Sequence, residues 1–285
     1  MIPAEFDYVA PTTVAEAISA LGEAGEDAKI LAGGQSLLPV LRLRLAFPTV
    51  LVDLSRVSEL RGISEDGDAL VIGAMTRHSD VIEDPLVQEH AALLSRATST
   101  VADPAVRHRG TFGGALAHAD PAGDLAAVAL ALDAELVAEG PGGERRIPVA
   151  EFFLDYLETA LSPDEILTAV RIPKLAGWSA HYEKFNRVAQ AWAIVGVAAA
   201  VRMDGGAIAE ARIGLTNMGS TPVRASAVES ALVGASDWEA ISQAAQSAAD
   251  GTSPPSDLGG KADYREHLAR VLTTRAVATA AGISR

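Results

Sequence analysis

Residues 109–133 read RGTFGGALAHADPAGDLAAVALALD, and the reading of the fold turns on this stretch. It joins a glycine pair, Gly113 and Gly114, to an Asp120–Pro121 punctuation and an apolar run. Paired glycines let a ligand approach main-chain N–H groups with no Cβ in the way, which suits a phosphate. Asp120 as cap, Pro121 at the first helical position, and Leu125, Val128, Ala129 and Leu132 at helical spacing predict a helix whose N-terminus points back at the glycines. The partial positive charge of such a terminus favours an anion. An ordinary tight turn before a helix has the same pattern, so the pair gains weight from a second one.

That second pair lies in residues 29–39, KILAGGQSLLP. Ile30, Leu31 and Ala32 read as a short strand, Gly33 and Gly34 break it, and Gln35 and Ser36 bring an amide and a hydroxyl just after the turn. Neither stretch fits G-x-G-x-x-G or ends in G-K-[ST], so a nicotinamide Rossmann site and a P-loop are both disfavoured. Two separate glycine loops on one elongated ligand remain.

The chain has 285 residues, 49% of them hydrophobic and 21% charged, which is enough to bury cores in two or three subdomains. A net charge of −14 argues against a nucleic-acid partner. There is no cysteine, so thiol nucleophiles, disulfides and cysteine-ligated clusters are excluded from the chain and any such cluster sits on a partner. No uncharged apolar run reaches the length of a transmembrane segment, and the opening MIPAEFDYVAP lacks an apolar signal region. The expected location is cytoplasmic, with peripheral association at the inner membrane face open only through partners.

Taken in order, residues 1–55 form a small α/β unit with a helix over Val14–Ala24 capped by Thr12 or Thr13 and strands at KILA and TVLVDL. Between these strands LRLRLAFP alternates apolar and charged residues, as a half-buried strand, a solvated face or a partner-facing segment would. Residues 56–176 have α+β texture, with β-like runs at 60–63 and 69–72, a helix over 86–98 and strands at AELVAEG, RRIPV and EILTAVRIP. Residues 177–285 begin with an antiparallel meander over 180–186, 193–203 and 207–216 and continue with three helices at 225–232, 238–249 and 264–281. Between the last two helices GTSPPSDLGG, residues 251–260, is linker-like.

Conventional catalytic sets are missing. The six histidines, at 78, 90, 108, 118, 181 and 267, contain no H-x-x-x-H pair, which argues against a metal site. His118 near Asp120 and Asp124 is the one His–carboxylate cluster, and a loop histidine beside cap and turn residues is the reading it favours. Two glycine loops without an acid–base set imply that a bound cofactor carries the chemistry.

The motifs AGGQSLLPVLRLRLAFPTVLVDL, VADPAVRHRGTFGGALAHADPAGD, YEKFNRVAQAWAIVGVAAAV and IGLTNMGSTPVRA occur together and in order. This pattern resembles the FAD-binding medium subunits of molybdenum hydroxylases, most of all those of aerobic carbon monoxide dehydrogenases, over essentially the whole chain. The resemblance implies an α+β chain with a two-subdomain FAD-binding fold of the vanillyl-alcohol oxidase (PCMH) type. A C-terminal domain with a three-stranded antiparallel sheet and a helical bundle follows. By the same likeness, Ala32, Gly33, Gly34, Gln35 and Ser36 form the first pyrophosphate loop, and Thr111, Phe112, Gly113, Gly114 and Ala115 the second, each offering main-chain N–H donors. Asp124 falls near the ribose-diphosphate part, Leu167 and Lys184 beside the ring system, and Trp192 where relatives place a tyrosine against the isoalloxazine. The chain departs from the pattern at Gln35, where histidine is common, at Ala115, where asparagine is common, and at Trp192.

The implied function is electron transfer by an FAD subunit, from [2Fe–2S] clusters on a small partner subunit to an external acceptor. The clusters are fed by a molybdenum cofactor on a large subunit, and the assembly expected is a dimer of heterotrimers. Quinone, cytochrome, NAD and dioxygen all serve as acceptors within the wider family. The competing readings are a medium subunit serving an N-heterocycle or aldehyde hydroxylase, a free-standing FAD oxidase and a non-enzymatic nucleotide-binding module.

Overall fold

The computed structural model describes residues 2–285. The chain begins with β1 (Asp7–Val9), α1 (Val14–Ala24), β2 (Ala28–Leu31), α2 (Leu37–Arg42) and β3 (Val50–Asp53). Its three strands form a parallel sheet in the order β1-β3-β2. Helix α1 forms where its caps and apolar face predict: the Thr13 side chain accepts from the Glu16 N–H, and Val14, Ala17 and Leu21 are buried. The LRLRLAFP segment is not a strand. It is the end of α2 followed by a turn with Arg44 at φ 57°, and it leaves Leu43, Leu45 and Phe47 exposed beside Arg42 and Arg44.

The middle of the chain supplies β4 (Ile63–Asp66), β5 (Ala69–Gly73), α3 (His78–Glu83), α4 (Pro85–His90), α5 (Ala92–Ser99), α6 (Pro104–Arg107), α7 (Phe112–His118) and α8 (Asp124–Ala131). It closes with β6 (Glu135–Gly140), β7 (Gly143–Pro148), α9 (Val149–Phe152), β8 (Phe153–Asp155), β9 (Glu158–Thr159) and β10 (Ile166–Pro173). Five of these strands make an antiparallel sheet in the order β4-β5-β10-β6-β7, while β8 and β9 pair as a separate hairpin. The helix expected over 86–98 is two helices, because the His90 carbonyl accepts from the Leu175 N–H at 3.4 Å and Leu94 N–H turns to Ala91.

The last part holds β11 (Trp178–Phe185), β12 (Val195–Asp204), β13 (Ala207–Thr216), β14 (Val223–Arg224), α10 (Ser226–Leu232), α11 (Trp238–Ala244) and α12 (Ala262–Ala281). The antiparallel meander β11-β12-β13 gains β14, only two residues long, at its edge. The linker-like segment 251–260 is tied down: Ser253 N–H donates to the Met218 carbonyl at 2.9 Å, and buried Arg265 on α12 binds Asp257 at 2.6 Å.

Strand β12 joins two cores. Ala198 and Ala200 face the core that contains α8, whereas Val195, Val197, Ala199 and Val201 face the helices α10–α12. Burial on both sides explains its near-continuous apolar run. Helix α8 is apolar all round and buried at every position, as a helix sandwiched between layers must be. It reaches the C-terminal sheet so closely that a Cβ on Gly214 would stand 2.1 Å from the Ala127 carbonyl oxygen. Arg224 holds its far end, donating to the Leu130 carbonyl at 2.9 Å and to Asp133 at 2.6 Å. A cation at a helix C-terminus also complements the helix dipole.

Two glycine substitutions separate packing from conformational freedom. Gly214→Ala drives a methyl into the α8 backbone and should destabilise the chain by about 1–3 kcal/mol. Gly22→Ala, on exposed α1 with nothing near its Cβ, should stabilise it by about 0.5–1 kcal/mol. Urea midpoints followed by tryptophan fluorescence would decide; equal midpoints for Gly214→Ala and wild type would mean that α8 is not seated on β13 this tightly.

Candidate functional site

The two glycine loops, far apart in sequence, meet backbone to backbone. A Cβ on Gly33 would lie 2.2 Å from the Arg109 carbonyl oxygen and 2.7 Å from the Gly110 Cα, and one on Gly114 would lie 3.2 Å from the Ala32 Cβ. The first loop runs from the end of β2 into α2, and Gly34 turns it at φ 74°. Among the described residues, the N–H groups of Gly34, Gln35, Ser36 and Leu37 have no hydrogen-bond partner, which leaves four consecutive donors for an acceptor outside the chain. The Gln35 side chain turns back to the Gly33 carbonyl at 3.2 Å.

The second loop is built differently. Gly113 and Gly114 lie in the first turn of α7 and not in an open loop, and neither has a positive φ. Thr111 caps the helix, its hydroxyl accepting from Gly114 N–H at 3.2 Å, while Gly113 N–H donates to the Ala74 carbonyl at 2.9 Å. Phe112 and Ala115 donate to Thr76 and Thr111 carbonyls. The expectation that both loops present open main-chain donors is therefore corrected for the second, whose N–H groups at 112–115 are spent inside the protein. Its glycines are needed because a Cβ on Gly113 would lie 2.5 Å from the Ala74 Cβ. The same accounting moves the expected cap: Ala119 is left-handed at φ 51°, the Asp120 carboxylate caps a turn at Ala122, and α8 starts only at Asp124 after Gly123. The first residue of α8 is Asp124.

Asp124 is the centre of a buried polar network. Its Oδ2 accepts from the Lys184 ammonium at 2.8 Å and its Oδ1 from the Tyr182 hydroxyl at 2.7 Å. Lys184 also donates to the Thr100 carbonyl at 3.1 Å, and Tyr182 lies 3.3 Å from the Thr216 hydroxyl. The Lys184 and Asp124 side chains are 6% and 4% exposed, so little of either faces bulk water. Burial pushes the Asp124 carboxyl above the usual range, while Lys184 and Tyr182 pull against it; burial, with the Asp124 charge, holds the Tyr182 hydroxyl protonated. Both Asp124 oxygens thus accept a hydrogen bond within the protein. Lys184 lines a cavity of about 360 Å³ together with Thr100, Glu183, Asn186 and Ala189.

The remaining expected residues are dispersed around these centres. Leu167 is in the core on β10, and the next residue, Thr168, accepts at its carbonyl from the Ala74 N–H that backs the second glycine loop. Trp192 is 53% exposed, outside any strand, with its ring 3.8 Å from the position of a Cβ on Gly123 at the start of α8. It is therefore not a core residue of β12. Ala115 and Ser36 are partly buried, Gln35 exposed. The suspected His118 cluster separates, since His118 is 3.9 Å from Asp120 while Asp124 faces Lys184. Among the described residues no group of three metal-binding side chains converges.

Sequence reasoning missed Tyr182 and His78. Tyr182 and Lys184 are two apart on β11 and so share a face, a signal present in the alternation of AHYEKF. His78, 4% exposed at the start of α3, packs where a Cβ on Gly110 would meet its ring at 2.8 Å, and its Nδ1 has no partner among the described residues. Nothing local in the sequence marks it.

Comparison with known proteins places these features in a family. The profile described as the FAD binding domain in molybdopterin dehydrogenase matches residues 4–175, and that of the CO dehydrogenase flavoprotein C-terminal domain matches residues 180–280. The chain is 44% identical over 281 residues to the carbon monoxide dehydrogenase medium chain of Hydrogenophaga pseudoflava, covering 97% of each. It is 38% identical to the alpha subunit of the 6-hydroxypseudooxynicotine dehydrogenase complex of Paenarthrobacter nicotinovorans, over 98% of this chain and 96% of that one. The solved carbon monoxide dehydrogenase from H. pseudoflava that lacks the Mo-pyranopterin moiety superposes with a TM-score of 0.95 at 45% identity, covering 99% of both chains.

The His78 ring beside the second glycine loop gives the chain a pH dependence. Burial, reinforced by the Arg107 charge, lowers its pKa from 6.5 to about 4. Between those values the unfolded chain binds the extra proton and the native one does not, so this contribution is intact above pH 6.5 and is lost as pH falls toward 4. It amounts to about 3 kcal/mol at most. His78→Phe should lose less stability than wild type between pH 7 and pH 4.5 in urea titrations; parallel losses would show that His78 is not held neutral.

Proposed function

We propose that this chain, which belongs to the FAD-binding subunits of the molybdopterin dehydrogenases, receives electrons from iron–sulfur clusters on a small partner subunit and delivers them to an external acceptor. In this reading a large molybdenum subunit oxidises the substrate. The family makes FAD its cofactor and makes the chain part of an oxidoreductase. The observation that carries the site is the run of open N–H groups at residues 34–37, seated against the second glycine loop.

The residues present fit FAD. Main-chain donors at Gly34, Gln35 and Ser36 suit a pyrophosphate, and Ala32 and Gly33 bring the second loop against it. Thr111, Phe112, Gly113, Gly114 and Ala115 shape the cradle from the other side, with the N–H groups of 112–115 held inside the protein. Asp124 holds Lys184, which places one cationic group at the wall of the cavity. Leu167 lies in the core on β10, next to Thr168, whose carbonyl accepts from the Ala74 N–H behind the second loop, and Trp192 brings a broad half-exposed face over the start of α8. When bound, FAD supplies reversible uptake of electrons, which no side chain of this chain provides. The absence of cysteine fits a division in which the clusters belong to another subunit.

Carbon monoxide is the first substrate to test, because the carbon monoxide dehydrogenase medium chain of H. pseudoflava is similar over nearly the whole length. 6-Hydroxypseudooxynicotine is the second, from the similar subunit of P. nicotinovorans. Purification of the tagged chain with its native partners should bring down two further chains, molybdenum, iron and flavin. A chain that purifies alone with flavin and oxidises a substrate directly would replace this reading with that of a free-standing oxidase.

Two sets of variants test the parts. Gly33→Val and Gly114→Val should both release FAD from the complex, Gly33→Val more completely, because it meets fixed backbone whereas Gly114→Val meets first a Thr111 hydroxyl that can rotate. Full flavin retention in both would remove the loops from the site. Arg42→Ala with Arg44→Ala tests whether the exposed Leu43, Leu45 and Phe47 surface is covered by a partner subunit, since arginine beside apolar side chains is favoured in such contacts. Unchanged assembly on size-exclusion chromatography would mean that this surface is only solvated.

A further inference from the structure

We infer that Tyr182 is a positioning residue of the flavin site, fixing through Asp124 where the Lys184 ammonium stands at the wall of the 360 Å³ cavity. The inference rests on the proposed FAD site, in which Lys184 stands beside the flavin ring system. Three parts of the fold meet to make the arrangement. Lys184 and Tyr182 come from one face of β11, Asp124 from the first turn of α8, and Thr216 from the end of β13. Each carboxylate oxygen of Asp124 has one side-chain donor, the ammonium on Oδ2 and the phenol on Oδ1.

The protein leaves a gap for the Tyr182 hydroxyl. Gly196 on β12 stands directly opposite Lys184, and Thr216 on β13 stands opposite Gly196. A Cβ on Gly196 would lie 2.4 Å from the Tyr182 hydroxyl oxygen, so any other residue there would push the phenol off Asp124. The φ of Gly196 is not positive, and backbone freedom does not explain the glycine; the space the hydroxyl occupies does.

The chemistry gives Tyr182 an indirect task. Buried and held protonated beside a carboxylate, it donates and does not exchange its proton. Its donation stabilises the charged form of a carboxylate that burial disfavours. Lys184 uses two of its three N–H groups, on Asp124 and on the Thr100 carbonyl, and the residue lines the cavity. Removing the phenolic hydroxyl takes from one oxygen of the buried carboxylate its side-chain donor. The Asp124–Lys184 pair then loosens, and the cation no longer has a single place at the cavity wall.

This indirect action predicts non-additivity, which a merely structural tyrosine would not show. In the intact complex, Tyr182→Phe and Lys184→Met should each raise the FAD dissociation constant on the order of tenfold. Each should also lower the flavin midpoint potential. With Lys184→Met already in place, Tyr182→Phe should change the dissociation constant by less than about twofold and leave the potential where Lys184→Met put it. Flavin fluorescence on dilution reads the first quantity and spectroelectrochemical titration the second. If Lys184→Met with its buried carboxylate cannot be purified, Lys184→Met combined with Asp124→Asn replaces the pair by neutral groups and serves as the background. Additive effects, or a Tyr182→Phe complex that matches wild type in both quantities, would overturn the inference. A flavin-loaded wild type whose FAD is indifferent to Lys184→Met would overturn the premise instead, since flavin would then lie away from Lys184.

Discussion

The contact between Gly33 and the Arg109–Gly110 backbone constrains the rest of the molecule. With a Cβ position 2.2 Å from a carbonyl oxygen, the two loops come so close that only glycine permits it. The contact fixes the first subdomain against the second. It places the four open donors at residues 34–37 next to a loop whose donors at 112–115 are taken inside the protein. One loop therefore brings hydrogen-bonding capacity and the other brings shape. A site made of two donor-rich loops would have had to leave twice as many backbone groups without partners in the free protein, and buried orphan donors are costly.

A second constraint acts through α8. This helix is apolar on every face because it is covered on every face, by the second-subdomain core on one side and by β12 and β13 on the other. The alanines of β12 that face it, with Gly214 beside them on β13, are small so that the helix can approach. Close approach brings the one charged residue of the helix, Asp124, within reach of Tyr182 and Lys184. The same packing that stabilises the interface thus delivers a charged pair into a place where water cannot screen it.

Much of this was legible in residues that act locally. Thr13 caps α1, the Asp204–Gly205–Gly206 turn joins β12 to β13, and both glycine pairs announced close approach, because each effect depends on a few neighbours in sequence. The split at Ala91 was not legible, since it depends on the Leu175 N–H reaching back to His90. Nor was α7, whose glycines read as a loop until Ala74 and Thr111 take up their N–H groups. Asp124 was picked out through resemblance, but its partners lie 58 and 60 residues away, so its closed, paired state needed the fold. The expected two open loops became one open loop, and Asp124 proved to be paired with a lysine.

That last exchange bears on how the chain would influence a flavin. A lone buried ammonium would act on reduced flavin with its full charge, but Lys184 is paired at 2.8 Å, and to a distant group the pair is a dipole. Its influence falls off faster with distance than that of a single charge and depends on orientation. Orientation here is set by groups that cannot easily move: the Thr100 carbonyl, the Tyr182 phenol in its Gly196 gap, and an α8 clamped at its far end by Arg224. The C-terminal sheet, which supplies Tyr182, Lys184, Thr216 and Arg224, is then more than a support for the FAD-binding part. It supplies the lysine of the buried pair, and it does so from a strand, whose position varies less than that of a loop.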